Sequence, residues 1–160
     1  MRMLAAITAL SFLAACASTG AGEKTGVNKG APESASASAT AGALPDAALP
    51  KGGCGMVLWT LDVERPIPVF RAVSEQGAEI VIEGVLRKLP LTSADGGAGF
   101  GVYEDQTFAS EDGLKVTVRV RFGLGFDGGA YLERGLVSIE KPDGWKTVIP
   151  AAGIAGCRAK

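Results

Sequence analysis

The chain has 160 residues and no histidine. That gap removes Ser-His-Asp and Cys-His catalysis, His-ligated zinc and imidazole pH switching. Hydroxyl nucleophiles without an imidazole leave a Ser–Lys hydrolase open. Carboxylates fall in close pairs at Asp62/Glu64, Glu104/Asp105 and Glu111/Asp112. Two flanking carboxyl groups can run glycoside hydrolysis, but acids beside the turns of a small β domain are more often solvated, and that reading is preferred. Lys115, Arg119 and Arg121 share one face of a strand. They can recognise an anionic partner or pair with acids such as Glu79 and Glu83 on neighbouring strands; pairing is preferred. Trp59 and Trp145 are read as core residues rather than sugar-stacking platforms.

Two glycine-rich stretches resemble cofactor loops only in spacing. Gly123-Leu-Gly125-Phe-Asp-Gly128 matches GxGxxG, yet a dinucleotide loop must open a helix so that phosphate meets its N-terminus. Here Ala130-Tyr-Leu-Glu-Arg134 reads as another strand, so a wide hairpin loop is expected. Gly96-Gly-Ala-Gly-Phe-Gly101 lacks the Lys-Ser/Thr of a phosphate loop and reads as a mobile turn. No cofactor is expected. A net charge of −1 gives no basic field for nucleic acid.

The elements that must carry these residues are strands. Leu114, Val116, Val118, Val120 and Phe122 alternate with Lys115, Thr117, Arg119 and Arg121, which makes one buried and one wet face at period two. Further strands are expected over 56–61, 69–73, 78–83, 85–91, 100–103, 106–109, 131–140 and 145–149. Turn residues separate them at Glu111-Asp112-Gly113, Phe126-Asp127-Gly128-Gly129 and Lys141-Pro142-Asp143-Gly144. With 23 glycines and no amphipathic helix of normal length, the expected fold is all-β: a small antiparallel sandwich or barrel over residues 54–160.

The N-terminus has a different character. Arg2 precedes the apolar run Leu4 to Leu13, which ends in Leu13-Ala14-Ala15-Cys16. The run is shorter than the roughly 20 residues of a membrane span and fits a signal peptide over residues 1–15. The ending resembles the bacterial lipobox, with Ala at position 15. The resemblance implies cleavage before Cys16 and acyl chains on that cysteine. One chain binds a membrane only marginally, whereas two or three give a stable anchor. The alternative is an ordinary signal peptide cut elsewhere, such as after Ala17. Ala17 is not the Asp that holds enterobacterial lipoproteins at the inner membrane, so the resemblance favours the outer membrane, facing the periplasm. Ala, Gly, Ser, Thr and Pro then dominate residues 17–53, without an aromatic side chain. Such a segment buries too little to offset ordering. It reads as a tether spanning about 35 Å.

With Cys16 taken by lipid, Cys54 and Cys157 remain. Export to an oxidising compartment favours a disulfide between them. A bridge closing about a hundred residues is worth roughly 4.7 kcal/mol in the chain-entropy model. The alternative, a redox or metal pair, lacks CxxC spacing and a third ligand.

Ala78-Glu-Ile-Val-Ile-Glu-Gly84, then Leu89-Pro-Leu91, then Ser93 before Gly99-Phe-Gly101 resembles the strand, Leu-Pro turn and Ser-Gly-aromatic loop of membrane-bound lysozyme-inhibitor lipoproteins. The resemblance implies a small disulfide-linked barrel, and Ser93 is the one inhibitor residue it carries over. The terminal Gly153-Ile-Ala-Gly-Cys157 departs from that pattern. Three functions follow, in order of preference. The first is a non-catalytic structural or accessory lipoprotein that docks to an envelope component. The second is an inhibitor of a cationic wall-degrading enzyme such as lysozyme, suited by the excess of acidic over basic residues between Cys54 and Cys157. The third is a small carboxylate-dependent hydrolase.

Overall fold

Apolar and polar side chains alternate along the longest strands, and their apolar faces point to a common interior. The computed structural model describes residues 41–61 and 64–160. The expected signal segment, Cys16 and the tether as far as residue 40 lie outside the described residues, as does Asp62.

Ten strands follow one another: β1 Ala41–Gly42, β2 Cys54–Thr60, β3 Pro68–Val73, β4 Gly77–Ile82, β5 Val85–Leu89, β6 Leu91–Gly99, β7 Val102–Ala109, β8 Lys115–Phe126, β9 Gly129–Glu140 and β10 Lys146–Cys157. All pairings between them are antiparallel. Sequence neighbours pair from β2 through β5 and from β6 through β10, and β10 returns to pair with β2. β5 and β6 are one extended run divided by Pro90. Leu89 lies opposite Ala78 of β4, and two residues later Leu91 lies opposite Phe108 of β7. The Pro90 carbonyl also accepts a bond from the Ala109 amide at 3.2 Å. The pairings therefore close into a meandering ring, the barrel alternative of the expected fold, which leaves sheet edges along β5 and β6, the two halves of this split strand.

The interior is packed. Val116, Val118 and Val120 of β8 face inward, while Lys115, Arg119 and Arg121 face out. Phe70 of β3 and Phe108 of β7 meet across the interior with ring centroids 5.5 Å apart, a tilted geometry favoured for aromatic pairs. A strict two-residue period fails along β9. Leu132 is buried, but further on Val137 and Ile139 are. Between them Arg134 takes φ 51°, and the facing strand shifts register between Ala151 and Gly153. Such a bulge moves the inward side chains by one residue.

Cys54 and Cys157 are joined by a disulfide and are directly opposed on β2 and β10. The bridge thus sits on the seam where the first and last strands of the ring meet.

Three expectations change. Residues 41–53, assigned to the tether from composition, lie against the ring. Ala41 and Leu44 are buried, β1 pairs with β4, and the Leu44 amide donates to the Pro68 carbonyl at 2.8 Å. Their few apolar side chains find room beside the start of β3. The stretch Gly96 to Gly101, read as a mobile turn, is mostly the end of β6, and only Phe100 and Gly101 turn. Its small residues gave no apolar alternation because every residue from Leu91 to Ala98 is exposed. The last strand runs on through Pro150 to Cys157 rather than ending at Ile149. Pro150 is tolerated because β2 reaches only to Thr60, opposite Ala151.

Candidate functional site

The outer wall at the seam carries an apolar row fixed by strand register. Ile154 of β10 lies opposite Val57 of β2 on one side and opposite Tyr131 of β9 on the other. Directly opposed residues share a face, so Val57, Ile154 and Tyr131 lie side by side on three adjacent strands, with Ile154 and Tyr131 exposed and Val57 buried. Trp59 extends the row along β2, two residues on from Val57. Phe126 packs on Tyr131 with centroids 5.1 Å apart. Tyr131 is 52% exposed and Phe126 42%. A groove of about 450 Å³ lies between this wall and the segment Ala47–Leu49, with Arg158 on its rim. Its lining is largely apolar. Aromatic side chains with an arginine beside them form the usual centre of a protein interface.

Arginines hold the segment that walls the groove. Arg71 pairs with Glu79 and donates to the Ala48 carbonyl at 2.5 Å. Arg158 donates to the Leu49 carbonyl at 2.8 Å. A second recess of about 320 Å³ lies among Arg71, Glu79, Lys88 and Arg158, but its charges are already engaged with one another or with backbone carbonyls.

The cationic face of β8 is paired along its length. Lys115 reaches Glu140 at 3.0 Å, Arg119 reaches Asp105 at 3.0 Å and Arg121 reaches Glu104 at 3.0 Å. The partners differ from those expected: Glu79 is held by Arg71 and Lys88, and Glu83 by Lys141. Hydrogen bonding and charge from Lys115, aided by Lys146, hold the Glu140 carboxyl below the ordinary glutamate range. Glu104 and Asp105 each have an arginine of their own, so they do not form a carboxylate pair around a shared site. Asp112 is bound by Ser110 and by Arg87, which lower its carboxyl below the usual aspartate range.

Neither tryptophan belongs to the core. Trp59 is half-buried on the seam wall. Trp145 is 38% exposed in the turn between β9 and β10, with the Lys141 ammonium 5.0 Å from its ring centroid. Ser93 is exposed on β6, opposite Thr107 of β7. The GxGxxG glycines carry β8 into the turn at Asp127 and Gly128 and directly into β9, without a helix. Ser138-Ile-Glu-Lys141 has the Ser-x-x-Lys spacing, but Ser138 lies within a strand and the Lys141 amine bonds Glu83. Among the described residues no cluster of His, Cys, Asp and Glu is placed to hold a metal ion.

Sequence reading missed Val57, Phe126, Tyr131 and Ile154 as a group. Parity with the buried Val137 and Ile139 would turn Tyr131 inward; the bulge turns it out, and register brings Ile154 and Val57 beside it. It also missed Gln106, a polar residue 3% exposed within the ring, whose Oε1 accepts no hydrogen bond.

No family model matches the chain, and no curated protein and no solved structure matches it significantly.

Proposed function

We propose that this chain is an envelope lipoprotein, held to a membrane through Cys16, whose β domain is a non-catalytic module docking to an envelope protein. The observation that carries the docking is the exposed part of the outward row, Ile154 and Tyr131 with Phe126 and the half-buried Trp59 at its ends, over a Val57 that is itself buried. Isolated exposed apolar residues are ordinary on a soluble surface, but a contiguous aromatic patch rimmed by polar groups marks an interaction site. The lipid attachment rests on the Leu13-Ala14-Ala15-Cys16 resemblance. The non-catalytic reading is supported by the engagement of the acids and bases on β7 and β8 with one another.

The test is purification of the full-length chain from native membranes in mild detergent. A single envelope protein is expected in stoichiometric amount with the parent chain and is lost with Trp59→Ala or Ile154→Ser while the fold is kept. Recovery of no such protein, or its equal recovery with both variants, overturns the reading.

Inhibition of a cationic wall-degrading enzyme is the second reading. It is favoured by Ser93, exposed on a strand accessible along nearly its whole length, and by a ring of the kind that the lysozyme-inhibitor resemblance implies. Titration with lysozyme tests it. Stoichiometric inhibition weakened by Ser93→Ala supports it, and absence of binding at micromolar concentration removes it.

A further inference from the structure

On the far side of the ring from the seam, the split strand leaves a notch. β5 follows β4, but after Pro90 β6 turns to β7 and leaves the start of β4 behind. The free edge of β6 has no strand partner among the described residues. Beneath it lies a cavity of about 250 Å³, lined by Ser74, Glu75 and Gln76 of the β3–β4 turn and by Leu91, Gln106 and Phe108. The far end is fixed by close approach of two turns: Gly101 has φ 73°, and a Cβ on it would overlap the Ser74 hydroxyl. The notch is therefore bounded by Pro90 at one end and by the Gly101–Ser74 contact at the other.

Gln106 lines this cavity. It is buried, and its Oε1 has no hydrogen-bond partner. A buried amide oxygen calls for a donor. Glu75, exposed at the rim with φ 65°, makes no ion pair with any described residue. No cationic side chain lines the cavity. A donor that also carries positive charge satisfies both groups.

We infer that β6 takes an extended segment of a partner protein as an added strand, which lodges one lysine or arginine side chain in the notch against Gln106 and Glu75. An unpaired strand edge supplies the backbone donors and acceptors for such addition, and pockets for side chains supply its selectivity. The cavity has the size of one long side chain. This site is separate from the seam wall and does not depend on what binds there.

The test pans a random linear-peptide display library against the full-length protein, then adds the enriched peptides to isotope-labelled protein. Enriched peptides should carry a lysine or arginine among strand-forming residues. Their binding should slow hydrogen exchange at alternate β6 amides and shift the Gln106 side-chain amide resonances. Gln106→Met should weaken binding about tenfold, the loss of one hydrogen bond to a charged donor. Glu75→Gln, at an exposed position that makes no ion pair with any described residue, should weaken it several-fold at low salt and less at high salt. No enrichment, or binding that leaves β6 and Gln106 unmoved, overturns the inference. So does equal affinity for the parent and both variants. The seam reading is tested by Trp59→Ala and survives or fails separately.

Discussion

Cys54 stands directly opposite Cys157 across the last pairing of the ring, and the disulfide joins the two residues at which β2 begins and β10 ends. The sequence separation is 103 residues, so nearly the whole folded ring lies inside one covalent loop. The bridge acts mainly on the unfolded chain by removing its freest conformations. Replacing both cysteines with alanine should cost about 2–5 kcal/mol and lower Tm by roughly 10–20 °C. Calorimetry of the parent and the double variant checks this; equal Tm values would show that strand pairing alone holds the seam.

Gly153 is the tightest point of the same seam. A Cβ there would overlap the Val57 carbonyl oxygen, and the clash is with backbone, which cannot swing aside. Gly153→Ala should therefore destabilise by about 1–3 kcal/mol, whereas Gly144→Ala meets no neighbouring atom and strains only the turn at its φ of 86°. Denaturant unfolding of the two variants separates close approach from backbone conformation: the larger loss at position 153 should be accompanied by shifted amide resonances in β2.

The unpartnered Oε1 of Gln106 is a stability defect as well as a binding feature. An unsatisfied buried polar group costs about 1–3 kcal/mol. Gln106→Met keeps the shape of the side chain and should raise stability within that range while it weakens peptide binding. Opposed changes of this kind mark a site kept for function. A lower stability for Gln106→Met, measured by urea unfolding, would mean that the amide is already satisfied within the fold.

The pH profile follows from two carboxylates. Asp112 and Glu140 are held below their ordinary values of 3.8 and 4.5. Each folded carboxyl therefore binds its proton more weakly than the unfolded one. Their contribution is present above those values and is lost as pH falls through the lower folded values. With no histidine in the chain, Tm should be nearly flat between about pH 6 and 8 and should fall below about pH 4. Glu140→Gln should flatten part of the acid limb. An acid limb of unchanged slope in that variant would contradict the role given to Lys115 and Lys146.

The strands with clean alternation were legible in the sequence. β8 declares its inner and outer faces through Val116, Val118 and Val120 against Lys115, Arg119 and Arg121. The disulfide was legible from the cysteine count together with the expectation of export. β6 was hidden because a strand exposed on both faces has no apolar period, and its Gly96-Gly97 looks like a turn. The bulge at Arg134 hid the inward residues of β9, since an added residue leaves no mark in composition. The seam wall was hidden for another reason: the last strand was expected to end at Ile149, short of Ile154, and only pairing of β10 with both β9 and β2 brings Ile154 beside Tyr131 and Val57. Gln106 sits within a strand among polar neighbours, and nothing local distinguishes it from a solvated glutamine.

The most direct test of the docking account is photo-crosslinking in living cells with a benzophenone side chain placed at one position at a time. At Tyr131, on the seam wall, the account predicts one dominant adduct with an envelope protein. At Glu111, exposed in the turn between β7 and β8, it predicts none with that protein. The same adduct from both positions, or none from Tyr131, would contradict it.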